Sequence, residues 1–348
     1  MKKIAILVPT FSSFSGMDRL AKNKAEELLT QGNKVTIFTF RSDMKVKGAK
    51  VIDFGMPKSL ILEKVYRLFF FLMWKKIKYY TNLLKDYDKV ICYFYPMTII
   101  ATAAKRKYGL KYIYYNSGVA DAKYFDTLLE KVYIWMFKKF SDYYAIHADH
   151  ADEIIHISQA AKEEFMKNRK ISELNVKQYV EYPKLREVKV KRFKENQIKK
   201  LKKEMNLDFP VYLYVGRLSP HKGIKLLIHA FSNVEKLYPS ARLIIVGKAT
   251  VPGYLEKLKK ISSSERVIFK GYVDDDELPK YYNVADVYVN GSEWENYDIP
   301  AVAAQEMKKS IVASDIAVHK ELLKKKVILV PPGNITEFAK AMCAQISN

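Results

Sequence analysis

The fold of this chain is decided by residues 211–223, which read VYLYVGRLSPHKG. The apolar run at 211–215 predicts a buried β-strand, and apolar residues at helical spacing after Gly223 predict a helix. Gly216 and Gly223 bound the segment between them and indicate a tight loop. A strand, a loop and a helix N-terminus in this order gather unpaired backbone N–H groups and the positive end of a helix dipole.

Two cationic side chains, Arg217 and Lys222, lie in this loop. Arginine can hold two oxygens of an oxyanion at once, whereas lysine supplies a mobile point charge. We therefore predict that the loop from Gly216 onward binds a diphosphate. A solvated loop with two surface cations is the alternative if the loop is considered alone.

The second half of the chain continues the same alternation of strands and loops. Further apolar runs follow at 243–247, 267–273, 285–289 and 311–314. Before the last of them, residues 292–300 read SEWENYDIP. In this order and spacing, residues 211–333 resemble the nucleotide-binding domain of family-four retaining glycosyltransferases. The resemblance implies the α/β GT-B fold, in which two Rossmann-like domains with doubly wound parallel sheets face each other across a cleft.

The length of 348 residues predicts two domains, each with its own core. Residues 4–40 read as strand, helix and strand, the opening that a parallel doubly wound sheet requires. We place the domain boundary between residues 182 and 183. By the resemblance, residues 1–182 form the acceptor domain and residues 183–348 form the nucleotide-sugar donor domain.

The family signature is a pair of glutamates separated by seven residues, and this chain keeps its first half. Glu295 takes the first position and by resemblance faces the donor sugar, whereas the second position is Ala303. In relatives the second glutamate holds the ribose hydroxyls, and Glu306, one helical turn later, is a candidate replacement. Asp298 stands where relatives have glycine, so we expect a negative side chain near the phosphate site. The resemblance assigns donor contacts to Asn296, Tyr297, Asp298, Ile299 and Glu306.

The first half of the chain carries three further candidates by the same resemblance. Relatives have two adjacent glycines near the point where donor phosphate and acceptor meet, and here that pair is Ser15 and Gly16. Many relatives carry a histidine facing the donor sugar where this chain has Asn116 and Ser117. We therefore expect Gly16, Asn116 and Ser117 to contact substrate.

The segment Lys58–Tyr80 is read as one helix with a basic stripe. At 100° per residue, one face carries Lys64, Arg67, Phe71, Lys75 and Lys78. A basic face that contains aromatic residues is typical of a helix that lies on an anionic membrane. The alternative is an ordinary domain helix whose lysine stems cover apolar neighbours.

The charge balance limits the partners. The chain has 60 Lys and Arg against 38 Asp and Glu, a formal net charge of +22, which attracts anionic partners. Sugar nucleotides, acidic lipid headgroups and nucleic acid all fit, and nucleic acid is the minor alternative. The first apolar run stops at Pro9 without a cleavage site, and the longest, residues 68–74, is too short to span a bilayer. We expect a cytoplasmic protein, with peripheral attachment to the inner membrane face as an open alternative.

Two clusters could be mistaken for metal sites. We interpret His147, His150 and His156 as part of a helix-to-strand connection. The run Asp274–Asp276 reads as a helix start, where acidic residues suit the positive end of the dipole. We predict no metal and no cofactor other than the nucleotide-diphosphate sugar that serves as donor.

Two functions from different classes stay open. The first is a retaining glycosyltransferase that moves a sugar from a nucleotide-diphosphate sugar to a glycan or lipid-linked acceptor. In it, Arg217, Lys222 and Glu295 are the catalytic residues, and the two cations stabilise charge on the leaving diphosphate. The second is a catalytically reduced relative that binds a glycan, a lipid headgroup or nucleic acid on its basic surface. The two cations favour the enzyme, and the departures at Asn116, Asp298 and Ala303 favour the binding protein.

Overall fold

A computed structural model describes residues 1–13, 15–125, 127–144, 151–169, 176–184, 191–262 and 264–346. These residues divide into two units. The first comprises Met1–Lys123 and Thr127–Lys184, and the second comprises the described residues from 191 onward together with Tyr124 and Phe125. The predicted boundary after residue 182 lies close to Lys184, the last residue of the first unit.

Among the residues described, the first unit is built on a parallel sheet of seven strands. These are β1 (Lys3–Leu7), β2 (Lys34–Thr39), β3 (Lys50–Asp53), β4 (Lys89–Cys92), β5 (Lys111–Asn116), β6 (Glu153–His156) and β7 (Lys177–Val180). Their order across the sheet is β3-β2-β1-β4-β5-β6-β7. The order reverses between β1 and β4, which is the mark of a doubly wound sheet.

Helices accompany the strands of the first unit. They are α1 (Gly16–Thr30), α2 (Leu60–Leu68), α3 (Trp74–Asn82), α4 (Met97–Tyr108), α5 (Leu128–Asp142) and α6 (Gln159–Arg169). The start of α1 is fixed by Ser15, whose side chain accepts a hydrogen bond from the backbone N–H of Asp18. Strand β1 is buried from Ile4 to Leu7, as a strand with neighbours on both sides of a parallel sheet must be.

The described part of the second unit holds a parallel sheet of six strands in the order β10-β9-β8-β11-β12-β13. They are β8 (Val211–Val215), β9 (Arg242–Val246), β10 (Val267–Gly271), β11 (Val287–Asn290), β12 (Ser310–Ser314) and β13 (Val327–Val330). The helices are α7 (Glu195–Glu204), α8 (Ile224–Leu237), α9 (Tyr254–Ile261), α10 (Leu278–Val284), α11 (Ile299–Glu306), α12 (Ala317–Leu322) and α13 (Ile335–Ala344). The predicted strand at 211–215 and the helix after Gly223 are both confirmed as β8 and α8.

The single helix predicted for Lys58–Tyr80 is wrong. Helix α2 ends at Leu68, a short 3₁₀ turn occupies Phe70–Leu72, and α3 begins at Trp74. The turn buries Phe70 completely, and its ring lies 5.0 Å from that of Phe40. A continuous helix would spread the apolar residues 69–72 over all its sides, whereas the turn directs one of them into the core.

The basic stripe predicted for this segment is only partly on the surface. The ammonium of Lys64 lies 5.5 Å from the ring centre of Tyr133 on α5, and the guanidinium of Arg67 lies 5.4 Å from that of Phe137. The ring of Phe71 packs at 5.2 Å against Phe140, also on α5. The stripe therefore packs largely against a neighbouring helix. Within the described residues, no helix combines the length and the apolar character needed to cross a bilayer.

Candidate functional site

Three loops of the second unit lie at one edge of its sheet. They follow β8, β11 and β12, which are neighbours in the sheet and run parallel. The carboxyl ends of parallel strands share an edge, and ligands of open α/β sheets bind in the crevice outside that edge. These loops contain residues 216–223, 291–298 and the approach to α12, so most of the predicted site residues are gathered here.

Glycines allow the first two loops to approach each other closely. Gly223 has φ of +66°, and a Cβ atom at this position would lie 1.9 Å from the carbonyl oxygen of Gly291. Any side chain would therefore force the two loops apart. The close approach brings residue 222, which precedes this glycine, against the loop that carries Glu295.

Lys222 and Glu295 are in direct contact. The Nζ of Lys222 donates to Oε1 of Glu295, and the hydroxyl of Ser292 donates to the same oxygen at 2.8 Å. The lysine side chain is 14% exposed and the glutamate side chain 6%. A predicted clamp residue and the predicted sugar-facing residue therefore form one largely buried ion pair.

Arg217 and the start of α8 complete the cationic part of this edge. Arg217 is exposed at the end of β8, and Gly223, the residue before α8, has no side chain with which to cap the helix. The first N–H groups of a helix have no partner within it, and the helix dipole places partial positive charge there. This loop can therefore hold an anionic ligand with side chains and backbone together.

His221 is a buried neutral member of the same loop. Its Nδ1 lies 3.4 Å from the hydroxyl of Ser219, and its ring centre lies 6.0 Å from that of Trp294. Burial, reinforced by the charges of Lys222 and Arg217, lowers the pKa of His221 to about 2. The loop therefore gains no positive charge from this histidine at neutral pH.

The side chain of Asp298 is turned into the interior of the second unit. Its side chain is 3% exposed and caps α11, with Oδ1 accepting the backbone N–H of Ala301 at 3.2 Å. Its Oδ2 accepts from Asn290 and lies 3.0 Å from Nε2 of His319. The carboxylate is turned inward because three hydrogen-bond donors lie on that side.

The sequence reasoning missed Asn290, Ser292 and His319. Their role depends on contacts across 8 residues, from Asn290 to Asp298, and across 21 residues, from His319 to Asp298. Neither separation follows a helical or strand period, so no local pattern connects these residues. The one local sign was Asp298 itself, because an acidic residue at a position where relatives have glycine indicates that a donor or a positive charge lies near its carboxylate.

The other predicted site residues of the second unit differ in how far they are buried. Asn296 is buried, whereas Tyr297 and Ile299 are half-buried and flank Asp298. Ala303 is fully buried within the core between the sheet and α11. Glu306 is exposed at the last position of α11, about 10 Å from its first residue at a rise of 1.5 Å per residue.

In the first unit, Gly16 is the first residue of α1 and adjoins a buried carboxylate. Asp18 accepts hydrogen bonds from the hydroxyl of Thr10 at 3.0 Å and from the backbone N–H of Ser12 at 2.9 Å. Burial raises the pKa of Asp18 to about 7, although these hydrogen bonds oppose the shift. Asp18 thus holds the loop before α1 against the helix that Gly16 begins.

Asn116 is also held within the first unit. Its Nδ2 donates to Nδ1 of His156 at 3.0 Å, and its Oδ1 accepts from the N–H of Gly118 at 3.1 Å. Because Nδ1 of His156 accepts, its Nε2 donates to Oε1 of Gln178, 2.9 Å away. Asn116 is thus the end of a hydrogen-bonded row across β5, β6 and β7, and Ser117 follows directly after it.

The described residues include no group of three or more His, Cys, Asp or Glu side chains arranged to hold a metal ion. His147 and His150 lie outside the described residues. His156 lies in β6, where its ring contacts Asn116 and Gln178.

Two family profiles match the two halves of the chain. The profile described as Glycosyltransferase Family 4 matches residues 14–177, and the profile described as Glycosyl transferases group 1 matches residues 194–348. The solved structure of Anabaena HepE with UDP and glucose superposes with a TM-score of 0.77 at 18% identity, covering 100% of this chain and 90% of that one. WaaG, a glycosyltransferase involved in lipopolysaccharide biosynthesis, superposes with a TM-score of 0.75 at 14% identity, covering 99% and 90%.

Sequence relatives match over shorter segments. An uncharacterized glycosyltransferase of Methanocaldococcus jannaschii is 35% identical over 135 residues, which is 38% of this chain and 34% of the relative. Lipopolysaccharide 1,2-N-acetylglucosaminetransferase of Salmonella typhimurium is 31% identical over 133 residues, 35% of each chain. The matches span about a third of the length of these two relatives. Each of the two profiles matches most or all of the part of the chain that forms one of the two parallel sheets. The chain belongs to the glycosyltransferases described by these profiles, Glycosyltransferase Family 4 and Glycosyl transferases group 1, and it has the GT-B fold.

Proposed function

We propose that the protein is a retaining glycosyltransferase that moves a sugar from a nucleotide-diphosphate sugar to a glycan or lipid-linked acceptor. The observation that carries the proposal is the contact between Lys222 and Glu295 beside the exposed Arg217 and the N-terminus of α8. This arrangement supplies cationic groups for a diphosphate next to a carboxylate that can face the sugar attached to it.

The chemistry of this edge follows from its charges. During transfer, the bond between the sugar and the diphosphate breaks, and negative charge grows on the leaving oxygen. Arg217 and Lys222 stabilise that charge, and the dipole of α8 adds to their effect. The acceptor hydroxyl attacks from the side on which the diphosphate leaves and gives its proton to the leaving phosphate oxygen, so the anomeric configuration is retained.

Glu295 has a different part in the proposed reaction. Its Oε1 is already engaged by Lys222 and Ser292, which fixes the direction of the carboxylate before substrate binds. A carboxylate held in advance can interact with the electron-poor sugar ring without reorganisation during the reaction. The structure of Anabaena HepE, solved with UDP and glucose, supports a uridine nucleotide as the first donor to test.

The experiment is a hydrolysis and transfer screen with uridine-, guanosine- and adenosine-diphosphate sugars. We expect one nucleotide series to release nucleoside diphosphate in the presence of the protein, and an acceptor to increase the rate. Nuclear magnetic resonance of the product reports whether the anomeric configuration is retained. Absence of turnover with all three series, in a protein that is folded, contradicts the proposal.

We also propose that this protein is cytoplasmic and that its first unit attaches it to the inner, anionic face of a membrane. Large apolar side chains on α2, on the turn after it and at the start of α3 are exposed: Ile61, Leu62, Val65, Phe69, Leu72 and Trp74. Helix α5, which packs against α2, exposes four more: Leu128, Leu129, Val132 and Trp135. We call these ten residues the α2–α5 apolar surface.

Charge favours a membrane as the partner of the α2–α5 apolar surface. Exposed lysines border it, among them Lys75, Lys76 and Lys139. Glu63 of α2 is instead paired, with Arg41 at 2.9 Å and Arg67 at 3.5 Å. Exposed apolar side chains bordered by exposed lysines suit an interface between acyl chains and acidic headgroups. Flotation with acidic and with neutral liposomes tests this docking.

A further inference from the structure

His319 lies in the core of the second unit with both ring nitrogens facing acceptors. Its Nδ1 is 2.7 Å from the carbonyl oxygen of Ser314, and its Nε2 is 3.0 Å from Oδ2 of Asp298. A carbonyl oxygen and an ionised carboxylate only accept hydrogen bonds, so each ring nitrogen must carry a proton. With Asp298 ionised, this geometry corresponds to a positively charged imidazolium.

Asp298 is arranged to be the negative partner. It receives hydrogen bonds from His319, from Nδ2 of Asn290 and from the backbone N–H of Ala301. The side-chain amide of Asn290 and the backbone N–H of Ala301 can only donate here, and hydrogen bonds donated to a carboxyl group favour its ionised form. The Asp298–His319 pair is thus an ion pair whose members are 3% and 0% exposed.

The pKa shifts agree with this charge assignment. Burial by itself would lower the pKa of His319, but the hydrogen bond and the charge of Asp298 outweigh it and raise that pKa. Burial would likewise raise the pKa of Asp298, but the hydrogen bond and charge of His319, with the charge of Lys222, hold it below its ordinary value. Each member of the pair therefore keeps the other ionised near neutral pH.

The pair is linked to the proposed catalytic carboxylate through two side chains. Asn290 donates to Asp298 and accepts the backbone N–H of Ser292 at 2.7 Å. Ser292 in turn donates its hydroxyl to Glu295 at 2.8 Å. Hydrogen bonds therefore connect His319 to Glu295 through Asp298, Asn290 and Ser292. A change in the charge of the pair can alter the position of Glu295 through these protein groups alone.

Other charged and titratable groups face the pair from the elements packed around it. Lys222 and Glu295 face it from the loops after β8 and β11, and both interact electrostatically with it. Tyr214 on β8 and Tyr288 on β11 are neutral phenols, because burial raises the pKa of each well above its ordinary value. On the side of α12, Asp315 and Lys320 pair with each other at 3.0 Å. His319 is the imidazole of this group, and its raised pKa means that it loses its charge at a higher pH than an ordinary histidine does.

We propose that His319 is a positioning residue whose positive charge cancels that of Asp298, so that the edge keeps its attraction for a diphosphate and Glu295 keeps its direction. The part that concerns the diphosphate rests on the proposed function. Loss of the proton from His319 leaves an uncompensated carboxylate behind Lys222. Affinity for a nucleoside diphosphate then falls as the pH rises.

The test separates charge from shape with three variants. His319→Gln retains a side-chain donor for Asp298 but carries no charge. The double variant Asp298→Asn with His319→Gln removes both charges and keeps similar volumes. His229→Gln is the matched control, because His229 is exposed on α8. Binding of uridine diphosphate is measured by calorimetry from about pH 6, near the ordinary pKa of histidine, upward to about pH 9.5, in the direction in which the pKa of His319 is shifted.

We expect His319→Gln to bind uridine diphosphate about tenfold more weakly than the parent at neutral pH, a change that calorimetry resolves easily. The double variant should recover most of that loss, and its affinity should no longer fall with rising pH. His229→Gln should follow the parent at every pH. A purely structural role predicts instead that the single and double variants weaken binding equally, with the parent's pH profile, and that result overturns the proposal.

A second measurement does not depend on nucleotide binding. Nitrogen-proton correlation spectra of the six histidine rings, with His319 assigned by its loss in His319→Gln, report how many ring nitrogens are protonated. Two protonated nitrogens at neutral pH support the ion pair, and a neutral tautomer overturns it. If the parent binds no uridine, guanosine or adenosine diphosphate, the proposed function fails, while these spectra still decide the charge of His319.

Discussion

Lys222 donates a hydrogen bond to Glu295 across 73 residues of sequence and joins the loop after β8 to the loop after β11. The side chains of this pair are only 14% and 6% exposed. A largely buried ion pair contributes little net stability, but removal of one partner leaves an uncompensated charge. We therefore regard the pair mainly as a device that fixes the direction of two reactive side chains.

The first prediction concerns the cations of the 216–223 loop. Arg217→Ala and Lys222→Ala should each weaken nucleoside-diphosphate binding by about 1.5–3 kcal/mol, the range for hydrogen bonds to charged groups. Lys222→Ala should have the larger effect because it also leaves Glu295 uncompensated. Calorimetry measures the change, and Lys236→Ala, an exposed lysine in the last turn of α8, is the control. Unchanged affinity in both loop variants would remove the support for a diphosphate site.

The second prediction concerns Ala303, which holds the position of the second family glutamate. Because Ala303 is fully buried, Ala303→Glu should lower the free energy of unfolding by about 1–3 kcal/mol or more, the cost of overpacking a core. Urea denaturation measures the change, with Ala303→Ser as the small polar control. A variant as stable as the parent that also binds uridine diphosphate more tightly would mean that this position faces the nucleotide after all.

The third prediction concerns Glu306, whose carboxylate is exposed on the same helix. If it holds the ribose hydroxyls, Glu306→Gln should weaken binding of uridine diphosphate and leave binding of the 2′-deoxy nucleotide nearly unchanged. The reason is that a charged acceptor discriminates through the hydroxyl it binds. Competition titrations compare the two nucleotides, with Glu204→Gln on α7 as control. Equal preference in parent and variant would exclude Glu306 from the ribose site.

The fourth prediction concerns the α2–α5 apolar surface. Flotation with phosphatidylglycerol liposomes should carry the protein upward, whereas phosphatidylcholine liposomes should not, and salt should reduce the effect. Leu129→Asp with Trp135→Asp should abolish flotation, because each change moves a charge into the acyl region. Leu237→Asp is the matched control, since this leucine is 70% exposed but lies on α8 of the second unit. Equal flotation of the double variant and the control would assign the surface to another partner.

The fifth prediction concerns the pH dependence of stability through His221. Its folded-state pKa of about 2 lies below the ordinary value of 6.5, so its contribution to stability is present above pH 6.5 and is lost as the pH falls toward 2. Relative to His221→Gln, the parent should lose up to about 1.4 kcal/mol per pH unit below 6.5. Urea denaturation from neutral to acidic pH measures this difference. Parallel stability curves for parent and variant would mean that His221 titrates normally.

The tertiary structure corrected the sequence reasoning where side chains meet partners that are distant along the chain. The break between α2 and α3 exists because Phe70 finds a place beside Phe40 in the core. The stripe of Lys64 and Arg67 is covered because α5 supplies rings for both cations. Neither partner lies within one helical turn of the residue it changes, so helical periodicity alone could not predict either contact.

By itself, the sequence indicated strand β8, helix α8 and the 216–223 loop between them, and its family resemblance implied two parallel-sheet domains. The strand, the helix and the loop follow from apolar periodicity and from glycines at loop ends, which act over a few residues. Only the tertiary structure decided that Asp298 turns inward to His319 and that Lys222 contacts Glu295. The orientations of these two carboxylates depend on which donors and positive charges the fold brings within about 3 Å of them. A buried carboxylate without such a partner would be costly, and here the partners come from distant parts of the chain.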